Sequence, residues 1–301
     1  MNEIILHHYP QSPVSEKVRA GLGIKKARWR SVEIPRLPPK PGLMPLTGGY
    51  RRTPVMQIGA DIFCDSECIL RALDRRIPEP AFYSDTPAIW GADGVFDLIF
   101  RLVLVFTGNA MPPGFVEDRG RLYLGPDWDM TAISAQIPDL ISGIEDRFKA
   151  LDMALSTAPL FLGGDTPNAG DANAYHLVWF LRGRWADGPA LLSKLPHLVA
   201  WEERMALIGH GTWTDMTSGE ALEIAKNTES ATPARVHENA PLGLIIGQRV
   251  VIIPDGNGGD PEVVGVVHFA DADTIAIVRH DGQVGTVCVH FPRAGYRVGI
   301  E

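Results

Sequence analysis

Cysteine is scarce, with three in 301 residues. Three cannot build a disulfide framework, and Cys64 and Cys68 sit too close together for a zinc-ribbon spacing. A reducing cytoplasm and no metal are therefore expected. Long apolar runs are missing too. No stretch approaches the roughly 18 uninterrupted apolar residues of a membrane span. The longest apolar region, Phe96 to Phe106, is broken by Asp97 and Arg101. The opening Met1-Asn2-Glu3-Ile4-Ile5-Leu6 lacks the basic and long apolar regions of a secretory signal. Basic charge is short, with 28 Lys and Arg against 36 Asp and Glu, net −8. That balance argues against a nucleic-acid binder, which needs a basic face. No internal repeat or low-complexity tract is present.

What is present is an ordinary globular composition, 45% hydrophobic and 21% charged, at a length that suggests about two domains. The charge is uneven: +5 over residues 1–80, −9 over 81–228 and −4 over 229–301. The first segment suits a small anionic ligand, although ordinary surface variation accounts for it equally well.

Residues 1–80 alternate strand and helix signals. Ile4-Ile5-Leu6 is a short apolar run that ends at Tyr9-Pro10. Ser12 then suits a helix N-cap, Pro13 the first helical position and Gly23 the end. Val14, Val18 and Leu22 form one apolar face. Trp29 to Ile34 predicts a second strand. Five prolines between Pro35 and Pro45 exclude helix and central strand there. Val55–Ile58 and Ile62–Cys64 flank Gly59-Ala60-Asp61 as a hairpin. Asp65 or Ser66 caps a helix that carries Ile69, Leu70, Leu73 and Ile77 inward. From about residue 86 to 226 the signals are helical, with helices expected within 89–106, 133–155, 172–182 and 196–208. Residues 227–240 read as a linker. Beyond it, β-branched runs at 248–253, 263–269, 274–279 and 284–290, with turns at 254–259 and Asp281-Gly282, predict a small all-β domain over 241–301.

Three places carry candidate chemistry. Ser12 lies where the first strand runs into a helix N-terminus, which bears unpaired N–H groups and about half a positive charge. A hydroxyl there can donate to a bound thiolate. Lowering a thiol pKa by two requires about 2.7 kcal/mol, which one charge-assisted hydrogen bond of about 1.5–3 kcal/mol largely supplies. The plain alternative is a cap. Thr53-Pro54 opens a strand after a loop. A cis bond there would turn the Thr53 backbone toward an extended peptide ligand, whereas a trans proline would simply begin an edge strand. Asp65 and Ser66 begin the next helix, where N–H groups and the Ser66 hydroxyl suit a carboxylate and Asp65 an ammonium. Capping explains this pair too.

The run Tyr9 to Arg19, with Arg52-Thr53-Pro54-Val55 and Asp65-Ser66-Glu67-Cys68-Ile69-Leu70, resembles the thioredoxin-like domain of the cytosolic glutathione S-transferase family. Phe161-Leu162-Gly163-Gly164-Asp165 and Asn168-Ala169-Gly170-Asp171-Ala172 are similar to that family's capping motif. There Asn168 would cap a core helix and Asp171 would close the box. The resemblance covers about residues 3–226 and leaves 241–301 outside.

It implies an α/β thioredoxin-like domain over 1–80, an all-α domain over 86–226 and, beyond the family pattern, a small SH3-like β-barrel over 241–301. Ser12 implies a bacterial-like serine-type member, with catalysis by Ser12 and glutathione bound by Ser12, Arg52, Thr53, Pro54, Asp65 and Ser66. The implied partners are glutathione as co-substrate and a small electrophile, in a cytoplasmic homodimer without nucleic acid or membrane. Conjugation is the leading activity. Isomerisation, dehalogenation, ether cleavage on the same site, or a non-catalytic scaffold are the alternatives. The tail is expected to pack on the helical domain or support a dimer, and its removal to leave ligand binding intact.

Overall fold

The computed structural model of the chain describes residues 3–83, 94–107, 110–238, 240, 243–256 and 259–300. The expected domain starts at 86 and 241, the helix start at Ile89, and Asn257-Gly258 of the tail turn lie outside them. The chain parts into two compact units. One comprises residues 1–15, 28–72 and 212–301, the other residues 16–27 and 73–211. Residues 1–80 and 241–301, read as separate domains in the sequence, thus contribute to the same unit.

The first unit is built on one sheet. Its early strands are β1 (Ile4–His8), β2 (Arg28–Glu33), β3 (Val55–Ile58) and β4 (Asp61–Cys64). Helix α1 (Pro13–Ile24) links β1 to β2, and α3 (Ser66–Arg76) follows β4. A short α2 (Met44–Thr47) corrects the expectation that the proline run excludes helix. Pro45 falls in the first turn of α2, where its missing N–H has no helical partner to lose. The later strands are β5 (Thr212–Asp215), β6 (Arg235–Val236), β7 (Arg249–Pro254), β8 (Val263–Ala270), β9 (Thr274–Asp281), β10 (Gly285–Pro292) and β11 (Tyr296–Ile300), with α11 (Ser218–Lys226) before β6.

The strand order is β11-β7-β8-β9-β10-β4-β3-β1-β2-β5, with β6 on β8. Strands β1 to β4 therefore make the central part, and later chain covers both of its edges. On one side β5 adds to β2 in parallel, Trp29 opposite Trp213. On the other, β10 adds to β4 in parallel, Val289 opposite Ile62. The tail thus joins the sheet of the first segment, which replaces the expectation that it packs on the helical domain. An unpaired edge of apolar strand is a template for another strand, and β4 (Asp-Ile-Phe-Cys) offers one. The pairing also merges the interiors. Ile5, Val55 and Ile62 share one buried cluster with Val250, Ile277, Val289 and Phe291 of the tail.

The polar segment 227–240 is more than a linker. Ser230 Oγ donates to Asp61 Oδ1 at 2.6 Å, Thr232 Oγ1 to the same oxygen at 2.8 Å, and the Ala231 N–H to Oδ2 at 2.8 Å. His290 Nε2 completes the set at 3.1 Å from Oδ1. Asp61 is only 4% exposed. Burial alone would push its carboxyl up, yet the bonds from His290 and Ser230 hold it below the usual carboxylate range.

The second unit is helical. It contains α4 (Val95–Thr107), α5 (Phe115–Leu124), α6 (Met130–Ala135), α7 (Ile137–Thr157), α8 (Ala169–Arg184), α9 (Gly188–Leu192) and α10 (Pro196–Ile208), together with most of α1. Helix α8 is its buried axis, from Ala172 to Leu181. Asn168 and Asp171 form the expected capping box. Asp171 further accepts from the Leu162 and Gly163 N–H groups and from Trp201 Nε1, so it holds a loop and α10 against α8. Near α1, a Cβ on Gly23 would overlap the carbonyl oxygen of Gly209, so only glycine allows that approach.

Candidate functional site

The sheet register brings the three candidate positions to one end. Strand β1 runs toward His8 and Ser12 follows it. Strand β3 is antiparallel and starts there, with Val55 opposite His7. Strand β4 returns to the same end, with Cys64 opposite Val55, and Asp65 follows. Neighbouring strands lie about 4.8 Å apart, so β1 and β4 end within about 10 Å of each other. This is the carboxyl end of the parallel strands β1 and β2, where open α/β sheets place ligands.

Ser12 sits at the start of α1 and is 2% exposed. Its Oγ accepts the Ser15 N–H at 3.1 Å, so it is an N-cap. Capping uses only a lone pair. The hydroxyl proton is not consumed by it, so a cap and a donor to a thiolate are compatible in one residue. Ser15 is fully buried, and its own hydroxyl has no hydrogen-bond partner among the described residues.

The Thr53–Pro54 peptide is cis. Thr53 Oγ1 accepts from Lys40 Nζ at 2.9 Å, and the same ammonium donates to the Arg51 carbonyl at 2.9 Å. Lys40 is buried in the proline-rich loop. Arg52 is paired with Asp260. Its Nε lies 3.2 and 3.1 Å from the two carboxylate oxygens of Asp260, and Nη2 lies 2.6 Å from Oδ2.

Asp65 has a left-handed backbone, φ 77°. Its Oδ1 accepts the Glu67 N–H at 2.9 Å, which satisfies one of the free donors of α3. Its Oδ2 accepts from the Tyr296 hydroxyl at 3.2 Å. Tyr296 in turn lies 3.3 Å, oxygen to oxygen, from the Tyr50 hydroxyl. Ser66 opens α3 and is half-buried.

Residues 6–81 match the family described as glutathione S-transferase, N-terminal domain, and residues 134–204 match glutathione S-transferase, C-terminal domain. A GST-like protein from Pseudomonas syringae is 33% identical with a TM-score of 0.74, over 100% of both chains. This chain belongs to the glutathione S-transferase family. The beta-etherase LigF from Sphingobium sp. strain SYK-6 shares its fold, at 14% identity and a TM-score of 0.51, over 67% of this chain and 94% of that one. A maleyl pyruvate isomerase, titled a bacterial glutathione S-transferase in Zeta class, is 22% identical with a TM-score of 0.45, over 67% of this chain and 92% of that one. No curated protein matches.

In this glutathione S-transferase the thioredoxin-like domain takes its strands β1 to β4 from the first unit and most of α1 from the second, and the helical domain is the rest of the second unit. No described helix is long and apolar enough to cross a membrane. Four residues around the site were given no role in the sequence reading: Lys40, Tyr50, Asp260 and Tyr296. Lys40 carried a weak signal, a cation flanked by prolines in the proline-rich loop. The other three carried none, because each acts on a partner distant in the chain.

Two further features of this transferase lie away from that end of the sheet. A cavity of about 150 Å³ is lined by Glu3, Arg28, Trp29, Arg30 and Thr212–Thr214. These residues start β1, β2 and β5, so it opens at the opposite end. Asp61, Cys288 and His290 place their potential ligand atoms within 4.8 Å of one another. Asp61, however, already accepts four hydrogen bonds, and burial pushes the Cys288 thiol up to about 12. That chemistry is of a structural staple joining β4, β10 and residues 230–232.

Proposed function

We propose that this chain is a serine-type glutathione transferase. Glutathione lies across the carboxyl end of β1 with its sulfur beside Ser12, its cysteinyl backbone on Thr53 and its γ-glutamyl end on Asp65 and Ser66. The observation that carries this reading is the convergence of the Ser12 helix start, the Thr53-Pro54 opening of β3 and the Asp65 turn on one end of the sheet. Ser12 accepts from the Ser15 N–H and donates its own proton to the thiolate. The glutathione thiol loses its proton to solvent. The sulfur then forms a bond to an electrophilic carbon while the leaving group departs with the electron pair of the broken bond. Arg52, paired with Asp260, takes a supporting role at the edge of the site and lends positive charge to the ligand's carboxylates. Isomerisation, dehalogenation and ether cleavage would use the same thiolate with a different electrophile.

The wider reading is also ours. Three buried free thiols support a cytoplasmic protein. The chain acts as a homodimer, as is usual for this family. The strand order β11-β7-β8-β9-β10 supports an SH3-like barrel, fused through β10 to β4. The three-part division 1–80, 86–226 and 241–301 then describes modules of sequence, two of which share a core.

Calorimetric titration with glutathione tests the binding, and the ultraviolet absorbance of the bound thiolate against pH tests Ser12. Micromolar to low millimolar binding is expected, with a bound-thiol pKa that rises by one to two in Ser12→Ala, the equivalent of about 1.4–2.7 kcal/mol. No binding at millimolar glutathione would leave a non-catalytic scaffold. Retained binding with an unchanged thiol pKa would remove Ser12 from the mechanism.

A further inference from the structure

The Tyr50–Tyr296–Asp65 contact contains more than two distances. Tyr296 has one hydroxyl proton and two oxygen neighbours, the Tyr50 hydroxyl and Asp65 Oδ2. An ionised carboxylate only accepts. Tyr296 must therefore give its proton to Asp65, and Tyr50 must give its own to Tyr296. The three groups form a directed relay that ends on the carboxylate, and each bond polarises the next. Both rings are buried, Tyr50 at 3% and Tyr296 at 8%, and burial raises both phenols well above their ordinary values, so both stay protonated.

The relay fixes the plane of the Asp65 carboxylate. Glu67 N–H holds Oδ1 and Tyr296 holds Oδ2. Each carboxylate oxygen has two lone-pair sites, so one on each remains for a ligand. An ammonium group meeting this carboxylate would find it already oriented, without the cost of ordering a free side chain.

We propose that Tyr296, a residue of the C-terminal tail, is a positioning residue for glutathione binding, acting through Asp65 on the ligand's γ-glutamyl ammonium. The proposal rests on the glutathione reading above. It reverses the expectation that the tail is dispensable for binding. Tyr50 supports Tyr296 from the loop before β3, and Tyr296 reaches Asp65 because β10 runs parallel to β4, with His290 opposite Phe63, and Tyr296 follows closely on the end of β10.

The test compares two ligands. One is glutathione. The other is its des-amino analogue, in which a glutaryl group replaces γ-glutamyl so that the ammonium is absent. In the full-length chain, Tyr296→Phe keeps the ring and deletes the hydroxyl. The expected result is a loss of glutathione affinity of about fivefold to tenfold, as for one charge-assisted hydrogen bond felt partly by the ligand. Affinity for the des-amino analogue should be unchanged, and kcat at saturating glutathione should be unchanged. Tyr50→Phe, which removes only the outer link of the relay, should show a smaller loss with the same ligand dependence. Equal losses on both ligands would mean that the hydroxyl serves structure alone, and this would overturn the proposal. So would unchanged glutathione affinity in both variants. Should the unaltered protein bind neither ligand, the glutathione reading itself falls, and that outcome is distinct from a failure of Tyr296 alone.

Discussion

Asp61 offers the sharpest test of how the tail is held. Replacement by alanine removes the acceptor for Ser230, Ala231, Thr232 and His290 at once, in a site 4% exposed. Each buried donor left without a partner costs about 1–3 kcal/mol. The costs do not add fully, because the hydroxyls can rotate and the cavity can admit water. A total near 4 kcal/mol is the expected loss, a large fraction of the roughly 5–15 kcal/mol that holds a typical domain. Urea denaturation at pH 7, followed by tryptophan fluorescence, measures it. Limited proteolysis gives a second reading, since residues 230–232 lose their anchor and should be cut first. The pH dependence carries its own signature. The folded-state carboxyl lies below its unfolded value of about 3.9, so its contribution is present above that pH and is lost as pH falls through the lowered value. Asp61→Ala should flatten this acid limb. A loss below about 1 kcal/mol, with cleavage at 227–240 unchanged, would refute the view that Asp61 joins the tail to the sheet.

Two more outcomes follow from buried groups. His7 is lowered to about 4 and His176 to about 3, in both cases because burial disfavours the imidazolium. Both bind a proton in the unfolded chain below about pH 6.5 while the folded chain stays neutral, so stability should fall as pH drops from 6.5 toward 5. Near pH 5 the slope should approach about 2.7 kcal/mol per pH unit if both sites unfold together; denaturation curves that do not shift between pH 6.5 and 5 would show that the imidazoles are not held neutral. Gly23→Ala should destabilise the protein by more than the few tenths expected at an open helix end, about 1–3 kcal/mol, because the methyl meets the Gly209 carbonyl; an unchanged melting temperature would show that the 209–211 turn yields freely.

The parts legible in the sequence were those whose cause is local. The cap at Ser12, the hairpin around Gly59 and the Asn168–Asp171 box each depend on residues within a few positions of one another, and the structure has all three. Strand β5 was missed. Thr212-Trp213-Thr214-Asp215 is exposed throughout and carries no alternation to read, and it is a strand because β2 presents free backbone groups beside it. The four tail runs were recognised as strands, but β11 and the partner of β10 were not. Apolar alternation says that a strand has a buried face. It does not say which edge, some 230 residues away, will receive it. The same limit hid Tyr296 and Asp260, whose partners Asp65 and Arg52 were named from motif alone.

A chain made from its N-terminus meets this architecture in an awkward order. Strands β1 to β4 emerge first, but the apolar edge of β4 waits for β10, and Asp65 waits for Tyr296. The helical unit, residues 73–211, can finish before either arrives. The nascent protein therefore carries an open sheet until β10 emerges, a span in which long-range pairing is slow and exposed strand edges are prone to aggregate. Its demand on chaperones should be set by the first unit, and a stop that removes β10 and β11 should be far more harmful than the small number of missing residues suggests.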